Sequence, residues 1–561
     1  MKNLQNRSDF DFIVVGAGAA GCLIANRLSK DPAARVALIE AGPSDLNFPV
    51  SLKTTLPIGN VFLLPHARYN WQHVYNGGPA VNGRQIPCPR GKLFGGCTSV
   101  NGTVYMRGHP TDYDEWAALG NEGWSYQDVL RYYKLHENRI GRPSGFHGSG
   151  GELDVRKPKE SNPLAHALIE AAVQAGHARN DDFNGEHQNG FGIFDLNQRD
   201  GVRLSSSRAF LHPALNRPNL QVFADTLVER INFQGNRAVG VTIRQDGRKT
   251  TLQASTEVTL AGGTVNSPQL LMLSGVGPAA QLRRHNIAIV EDLPGVGANL
   301  QDHPTVSVAM SNPGAESYAL SWRTAPRVAL APLRYLFGRS GMLASNAAEA
   351  GGFLCSRPGL DRPDLQMTFM VGLKDNPRTL PRRHGFVLHV AVLRPATRGR
   401  LELSSADPTA RPLMYPHFLE GRADVDALIA GLKEARRIMS MPALARHSGT
   451  ELSPGPAVVS DADLEAFVRA NVATTYHPVG TCKMGPQSDP TAVVDSRLRV
   501  HGTTGLRVAD ASIMPNIIGG NTSAPSMMIG ERAAEFILQD RKGSAATAGQ
   551  EIRSSSGAAY A

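Results

Sequence analysis

One pattern near the start limits the fold more than any other. Gly16-Ala17-Gly18-Ala19-Ala20-Gly21 sits between a short apolar run and a helical one. Phe10 to Val15 is apolar and rich in β-branched residues, which predicts a buried strand. Cys22 to Leu28 carry a helical pattern that stops at Asp31-Pro32. Arg35 to Ile39 reads as a second strand and ends on Glu40. Strand, glycine turn, helix and strand within about 30 residues make a βαβ unit of a parallel sheet. In that setting each glycine has its own task. Gly16 permits the tight turn, Gly18 lets backbone approach a pyrophosphate, and Gly21 lets the helix pack closely on the strand. Free N–H groups at the helix start, around Ala19 and Ala20, favour phosphate. Glu40, with Ala41 beside it, lies 19 positions after the last glycine and is placed to accept hydrogen bonds from ribose hydroxyls. The motif alone does not separate NAD from FAD; its position at the start of a long chain favours FAD.

The remaining sequence narrows the class. A chain of 561 residues exceeds one ordinary core. With 41% hydrophobic and 19% charged residues, 57 Gly and 37 Pro, it is globular and loop-rich, which excludes a disordered chain, a coiled coil and a collagen. Residues 43–160 read mainly as loops, and 161–176 as helical. Strand patterns follow at Leu220 to Val222, Ala238 to Ile243 and Thr256 to Ala261. Helices are expected at 268–274, 424–440, 461–471 and 523–538, with a turn-like stretch from Leu293 to His303. From Asp540 to Ala561 small and polar residues predict a disordered tail.

Several functions lose their usual support. The net charge of +9 is thin for this length, and no Lys/Arg-rich run with interleaved aromatics occurs, so no nucleic-acid partner is expected. Cys22, Cys88, Cys97, Cys355 and Cys482 contain no C-x-x-C pair, so neither a disulfide framework nor a zinc site is indicated, and a reducing cytoplasm is expected. MKNLQNRSDF has no apolar targeting region, and no run of 18 apolar residues predicts a spanning helix. G-x-S-x-G, H-E-x-x-H and G-x-x-x-x-G-K-[ST] are all missing.

Three further segments carry a resemblance. The first is Arg90-Gly91-Lys92-Leu93-Phe94-Gly95-Gly96-Cys97-Thr98-Ser99-Val100-Asn101-Gly102, running on to Arg107-Gly108. The second is Gly263-Thr264-Val265-Asn266-Ser267-Pro268-Gln269, running on to Gly277. The third runs from Tyr476-His477-Pro478 through Val508-Ala509-Asp510-Ala511-Ser512 to Gly520-Asn521-Thr522. With the opening motif these segments resemble, in order, the glucose–methanol–choline (GMC) flavoprotein oxidoreductases, over nearly the whole chain. The nearest branch is that of bacterial alcohol and choline dehydrogenases.

That resemblance implies an α/β fold. A Rossmann-like FAD-binding domain would be assembled from 1–160, 201–309 and 466–539. A second, substrate domain, built on a β-sheet flanked by helices, would come from 161–200 and 310–465, ahead of the tail 540–561. It implies FAD contacts at Gly16, Gly18, Ala19, Ala20, Gly21, Glu40, Ala41, Trp71, Arg90, Gly91, Gly95, Gly96, Thr98, Asn101, Gly102, Thr103, Val228, Asp510, Ala511, Asn521 and Thr522. Cys97 departs from the usual Ser or Gly. Val100 stands where some choline oxidases link flavin through His, so the FAD is expected to be non-covalent.

Among 17 histidines, only the resemblance singles out His477 as the base that takes the alcohol proton. Asn521 would hold the alcohol oxygen, with Tyr476 and Glu349 at the substrate. The reaction implied is oxidation of a primary alcohol to its aldehyde, with electrons passing to a quinone, a redox protein or another non-oxygen acceptor. Choline dehydrogenase and an oxygen-using alcohol oxidase are the alternatives. Asp302-His303 is expected in a structural loop.

Ala319 to Ser340 carries four Arg and no acid among apolar residues. It reads either as a wall of the substrate domain or as a peripheral contact with the inner face of the cytoplasmic membrane. Pro326 and Pro332 argue against one continuous helix there.

Overall fold

A computed structural model describes residues 8–141, 143–373 and 381–557. The opening unit is β1 (Asp9–Val15), α1 (Ala19–Leu28) and β2 (Val36–Ile39), within a residue or two of the sequence reading except at the helix start. Next come α2 (Pro110–Ala118), α3 (Tyr126–His136), α4 (Pro163–Gln174) and β3 (Gly190–Ile193). The stretch 43–160 is therefore less loop-like than expected. Both α2 and α3 start on capping boxes, His109 with Asp112 and Ser125 with Asp128, in which side chain and backbone satisfy each other's N–H groups.

The chain continues with β4 (Leu220–Phe223), β5 (Thr226–Gln234), β6 (Arg237–Gln245), β7 (Arg248–Leu260) and α5 (Gly263–Leu273). It then forms β8 (Pro304–Ser311), α6 (Ala325–Gly338), β9 (Ala350–Leu354), β10 (Leu365–Met370) and β11 (Gly385–Val392). The last elements are α7 (Arg422–Met439), β12 (Glu451–Ser453), α8 (Asp461–Asn471), β13 (Ala473–Thr474), β14 (Leu506–Val508) and α9 (Ser523–Gly557).

Two seven-stranded sheets organise these elements. In the first the order is β4-β2-β1-β7-β6-β5, with β14 also on β7. Its β4, β2, β1, β7 and β14 pair in parallel, whereas β6 and β5 return antiparallel. Ile13 lies level with Ala37 on one side and Val258 on the other, and all three are fully buried, as a strand covered on both faces requires. The second sheet runs β12-β8-β11-β10-β9-β3, with β13 on β8, and every pair is antiparallel. It takes β3 and β13 from outside residues 310–465, and β8 begins at Pro304.

Close helix packing uses small residues. A Cβ on Gly431 of α7 would lie 2.4 Å from Val390 Cγ1 of β11, and one on Gly530 of α9 would lie 3.0 Å from Ala20 Cα of α1.

Two expectations fail here. Ala325–Gly338 is one helix: Pro326 occupies its first turn, where no N–H partner is needed, and Pro332 is carried inside. Nor does the disordered tail begin at Asp540. Helix α9 continues to Gly557, and across the expected boundary Asp540 pairs with Arg497 and Arg507, and Arg541 with Asp31. The last four residues of that expected tail, 558–561, lie outside the described residues.

None of the five cysteines is disulfide-bonded. Among the described residues no helix is long and apolar enough to cross a membrane, and no cluster of three or more His, Cys, Asp or Glu is placed to hold a metal ion.

Candidate active site

A cavity of about 570 Å³ extends from the glycine turn of the first sheet to the face of the second. At its first end it is lined by Gly16, Gly18, Ala19, Ala20, Glu40, Ala41 and Val228. Here the three motif glycines differ physically. Gly16 has φ +101°, and a Cβ there would meet the Ala261 carbonyl oxygen at 2.5 Å. A Cβ on Gly21 would sit 1.8 Å from the Gly16 oxygen, so this glycine is a packing requirement and does not line the cavity. A Cβ on Gly18 would find nothing nearer than 3.9 Å. It faces open space at the head of α1, where no side chain caps the helix and no acid occupies the first turn. Free N–H groups at a helix start of this kind favour an anion.

Glu40 is buried beside it. Its carboxylate accepts N–H bonds from Ala17 and Gly42, each at 3.0 Å, and burial pushes its pKa up to about 7. Two further lone-pair directions remain for ribose hydroxyls.

The middle of the cavity is lined by Trp71, Arg90, Gly91, Gly96, Thr98, Asn101, Gly102, Asp510 and Ala511. Arg90 donates to the Tyr476 carbonyl at 3.0 Å and to Cys97 Sγ at 2.9 Å, which ties the glycine-rich segment to the strip holding His477. Asp510 accepts from Gly263 N–H and Ser267 Oγ and so anchors α5 to the last segment. Gly95 and Thr103 do not line the cavity. They shape the backbone around it: Gly95 N–H binds the Ala17 carbonyl at 2.7 Å, and Thr103 N–H binds Asn101 Oδ1 at 2.9 Å.

At the far end stand Tyr476, His477, Asn521 and Thr522, facing Ser307, Gln366, Met370 and His389 of the second sheet. The strand residues alternate, Gln366 and Thr368 with Met370, and His389 with Ala391, as side chains on one face of a sheet must. The hydrogen bonds at His477 fix its tautomer. His303 Nε2 lies 3.1 Å from the Ile518 carbonyl, which can only accept, so Nε2 of His303 carries the proton and Nδ1 accepts. His477 Nδ1 lies 3.1 Å from that Nδ1 and 2.9 Å from Thr475 Oγ1, so it is the donor. His477 Nε2 is then an acceptor, met by the Asn521 amide nitrogen at 3.1 Å. Gln366 Nε2 donates to Asn521 Oδ1 at 3.2 Å and holds that amide in the same sense.

Burial, His303 and Arg90 together push the His477 pKa well below its ordinary value, so it stands neutral. His303 is lowered to about 4, first by burial. Buried Asp302 accepts from the backbone N–H groups of His303 and His477 and from the Tyr75 and Thr474 hydroxyls. The Asp302-His303 pair is therefore more than a loop element: it sets the position of His477. Sequence reasoning missed this contact, and also Gln366, Ser307 and His389. Only the period-2 polar spacing at Gln366 and Thr368 hinted at a lined strand face.

Glu349 is elsewhere. It is fully buried outside the cavity, where its carboxylate accepts from Asn162 N–H at 2.6 Å and from the hydroxyls of Ser345 and Tyr318, and burial raises its pKa. Glu349→Gln should leave KM for alcohols unchanged and lower stability by about 1–3 kcal/mol, because an amide N–H would face these donors. A thermal melt and a KM measurement check this; a large KM change for a cationic alcohol alone would return Glu349 to the substrate site.

The N-terminal GMC oxidoreductase family profile matches residues 10–305 and the C-terminal profile residues 395–530. The chain belongs to the GMC oxidoreductase family. It is 43% identical over 534 residues to the alcohol dehydrogenase (acceptor) of Pseudomonas putida, covering 94% of this chain and 96% of that protein. It is 42% identical over 535 residues to the mitochondrial choline dehydrogenase of Mus musculus, covering 95% and 90%. Among solved structures, pyridoxine 4-oxidase from Mesorbium loti superposes with TM-score 0.83 at 29% identity, over 94% of this chain and 98% of that one. An Aspergillus oryzae formate oxidase gives TM-score 0.87 at 25% identity, over 96% and 99%. This GMC protein is thus a flavin-dependent oxidoreductase of the alcohol-oxidising kind.

Proposed function

We propose that this GMC oxidoreductase oxidises an uncharged primary alcohol to its aldehyde with non-covalent FAD and passes the electrons to a quinone or another non-oxygen acceptor. The observation that carries the chemistry is the orientation of His477: Nδ1–H is turned to His303, and the unprotonated Nε2 is turned to the cavity beside Asn521.

The turn at Gly18, Glu40 and the N-terminus of α1 would hold the dinucleotide end of FAD, and Gly96 to Gly102 with Asp510 and Ala511 its ring. When bound, FAD supplies the hydride acceptor. The rest is done by the chain. With substrate in place the alcohol O–H would take over the single Nε2 lone pair that the Asn521 amide otherwise occupies; the amide N–H then orients the alcohol oxygen, and His477 Nε2 removes its proton. The imidazolium then formed keeps its Nδ1–H bond to His303. The start of α9 at Thr522 and Ser523 lines the same end of the cavity and favours negative charge there.

The lining favours a neutral substrate over choline. Among the described residues Trp71 and Tyr476 are the Phe, Tyr or Trp side chains on the cavity wall, and Glu349 is turned away. A quaternary ammonium group is ordinarily held by an aromatic cage. The acceptor follows the Pseudomonas putida relative rather than the two structural neighbours named as oxidases.

Anaerobic addition of a series of primary alcohols to the yellow holoenzyme should bleach the flavin band, and choline should bleach it far more slowly. Bleaching by choline alone would overturn the substrate reading. Stoichiometric peroxide in air would overturn the acceptor. Flavin that stays with acid-precipitated protein would overturn non-covalent binding, for which Val100 in place of a linking histidine is the support.

A further inference from the structure

Helix α6 and the turn before it leave a large apolar surface without a partner among the described residues. Trp322 is 86% and Phe337 88% exposed, and Leu330, Leu333 and Leu336 are each more than half exposed. Only Ala331 and Tyr335 of the helix are buried. At about 100° per residue, Leu330, Leu333 and Phe337 fall within about 60° of one another. Arg327 and Arg334 lie between this stripe and the buried seam.

The charge around the stripe is predominantly positive. Ala319 to Ser340 contains Arg323, Arg327, Arg334 and Arg339 and no carboxylate. Arg323 and Arg327 donate to the neutral carbonyls of Pro313, Ala315 and Ser317, so their charge is not cancelled. Lys159 joins them by binding the Gly338 carbonyl at 2.8 Å. Glu160, paired with Arg334, is the one carboxylate in a salt bridge with these five cations among the described residues.

We infer that α6 lies flat on an anionic lipid surface, with Trp322, Leu330, Leu333 and Phe337 entering the headgroup boundary and the flanking cations meeting lipid phosphates. A helix with a bulky apolar stripe and basic edges is suited to that interface. A second copy of the chain fits worse, because two-fold pairing would set five cations against five with a single acid each. The placement bears on the site. Eight residues beyond α6, Asn346 lines the cavity and donates to the Gly102 carbonyl at 2.6 Å. The wall carrying Asn346 would then stand near the lipid phase, where an apolar alcohol or a quinone concentrates. The surface itself is independent of the reaction, and vesicle binding is read separately from activity.

Holoenzyme is co-sedimented with vesicles of phosphatidylcholine alone and of phosphatidylcholine with roughly a third phosphatidylglycerol. Binding is expected to the anionic vesicles only, and to weaken severalfold as salt is raised. The combined variant Trp322→Ser, Leu330→Ser, Leu333→Ser, Phe337→Ser should lose at least about tenfold in vesicle binding. It should keep its flavin and its turnover with a soluble dye acceptor. Phe337→Asp alone should act in the same direction, so the result does not depend on one heavily altered protein. Unchanged binding by both variants, or no binding of the parent protein to anionic vesicles, overturns the inference. A parent dimer that Phe337→Asp converts to monomer, without vesicle binding by either, replaces lipid with a second copy.

Discussion

Replacing His477 with alanine should lower kcat by about 10²- to 10⁴-fold, the usual worth of a positioned general base, while the protein stays yellow. The side chain contributes to the far end of the cavity, away from Gly18 and Glu40, so FAD retention should survive its loss. The pH dependence is a second reading of the same group. Burial, His303 and Arg90 all disfavour the imidazolium, so the folded pKa lies below the ordinary one and the base remains unprotonated as the solution is acidified. In the parent protein kcat should therefore be level from about pH 8 down to about pH 6, where an unperturbed histidine would already be losing its basic form. Equal turnover in His477→Ala would remove His477 from the reaction. A fall in parent kcat centred near the ordinary histidine pKa would show that the tautomer network does not hold it neutral.

The second large effect is a contrast between two motif glycines. Gly21→Ala should prevent recovery of folded holoenzyme. Its Cβ would lie 1.8 Å from the Gly16 carbonyl oxygen and 3.2 Å from Ala261 Cβ, and the first of these is backbone that no rotamer change can move. Helix α1 would have to leave β1, although Ala20 is already pressed against Gly530 of α9. Overpacking of this kind typically costs 1–3 kcal/mol and more where the backbone is trapped. Gly18→Ala should behave differently. Its φ of −85° is negative and its backbone extended, so no left-handed strain bars alanine, and its Cβ would meet nothing nearer than 3.9 Å. The variant should fold with a nearly parental melt as apoprotein, yet bind FAD at least about tenfold more weakly, because the methyl group occupies the approach to the pyrophosphate. The measurements are soluble yield, a thermal melt and the flavin-to-protein ratio. Loss of folding in Gly18→Ala, or normal flavin content in Gly21→Ala, would reverse these assignments.

Local patterns in the sequence were enough for the opening unit. Apolar β-branched residues from Phe10 to Val15, three spaced glycines and a terminal acid at Glu40 each act within a few residues, so strand, turn and helix were legible to within a residue or two except at the helix start. The same holds for α7 and α8, whose apolar periodicity fixed both helices. The helices α2 and α3 escaped notice because frequent Gly and Pro nearby masked their capping boxes. Helix α6 was misjudged because each proline was weighed as a breaker without regard to its place in the turn.

What the chain's order of residues determined was the parallel βαβ start, the glycine turn, and, through motif resemblance, the pairing of His477 with Asn521 at one site. What only the tertiary structure decided was contact across distant segments. Asp302 and His303 reach His477 over more than 170 positions, Gln366 reaches Asn521 over 155, and Glu349 turns to Asn162 instead of the cavity. The physical reason is that a side chain's protonation and orientation depend on the donors and acceptors packed around it. In this protein those partners arrive from strands and loops that no local periodicity connects.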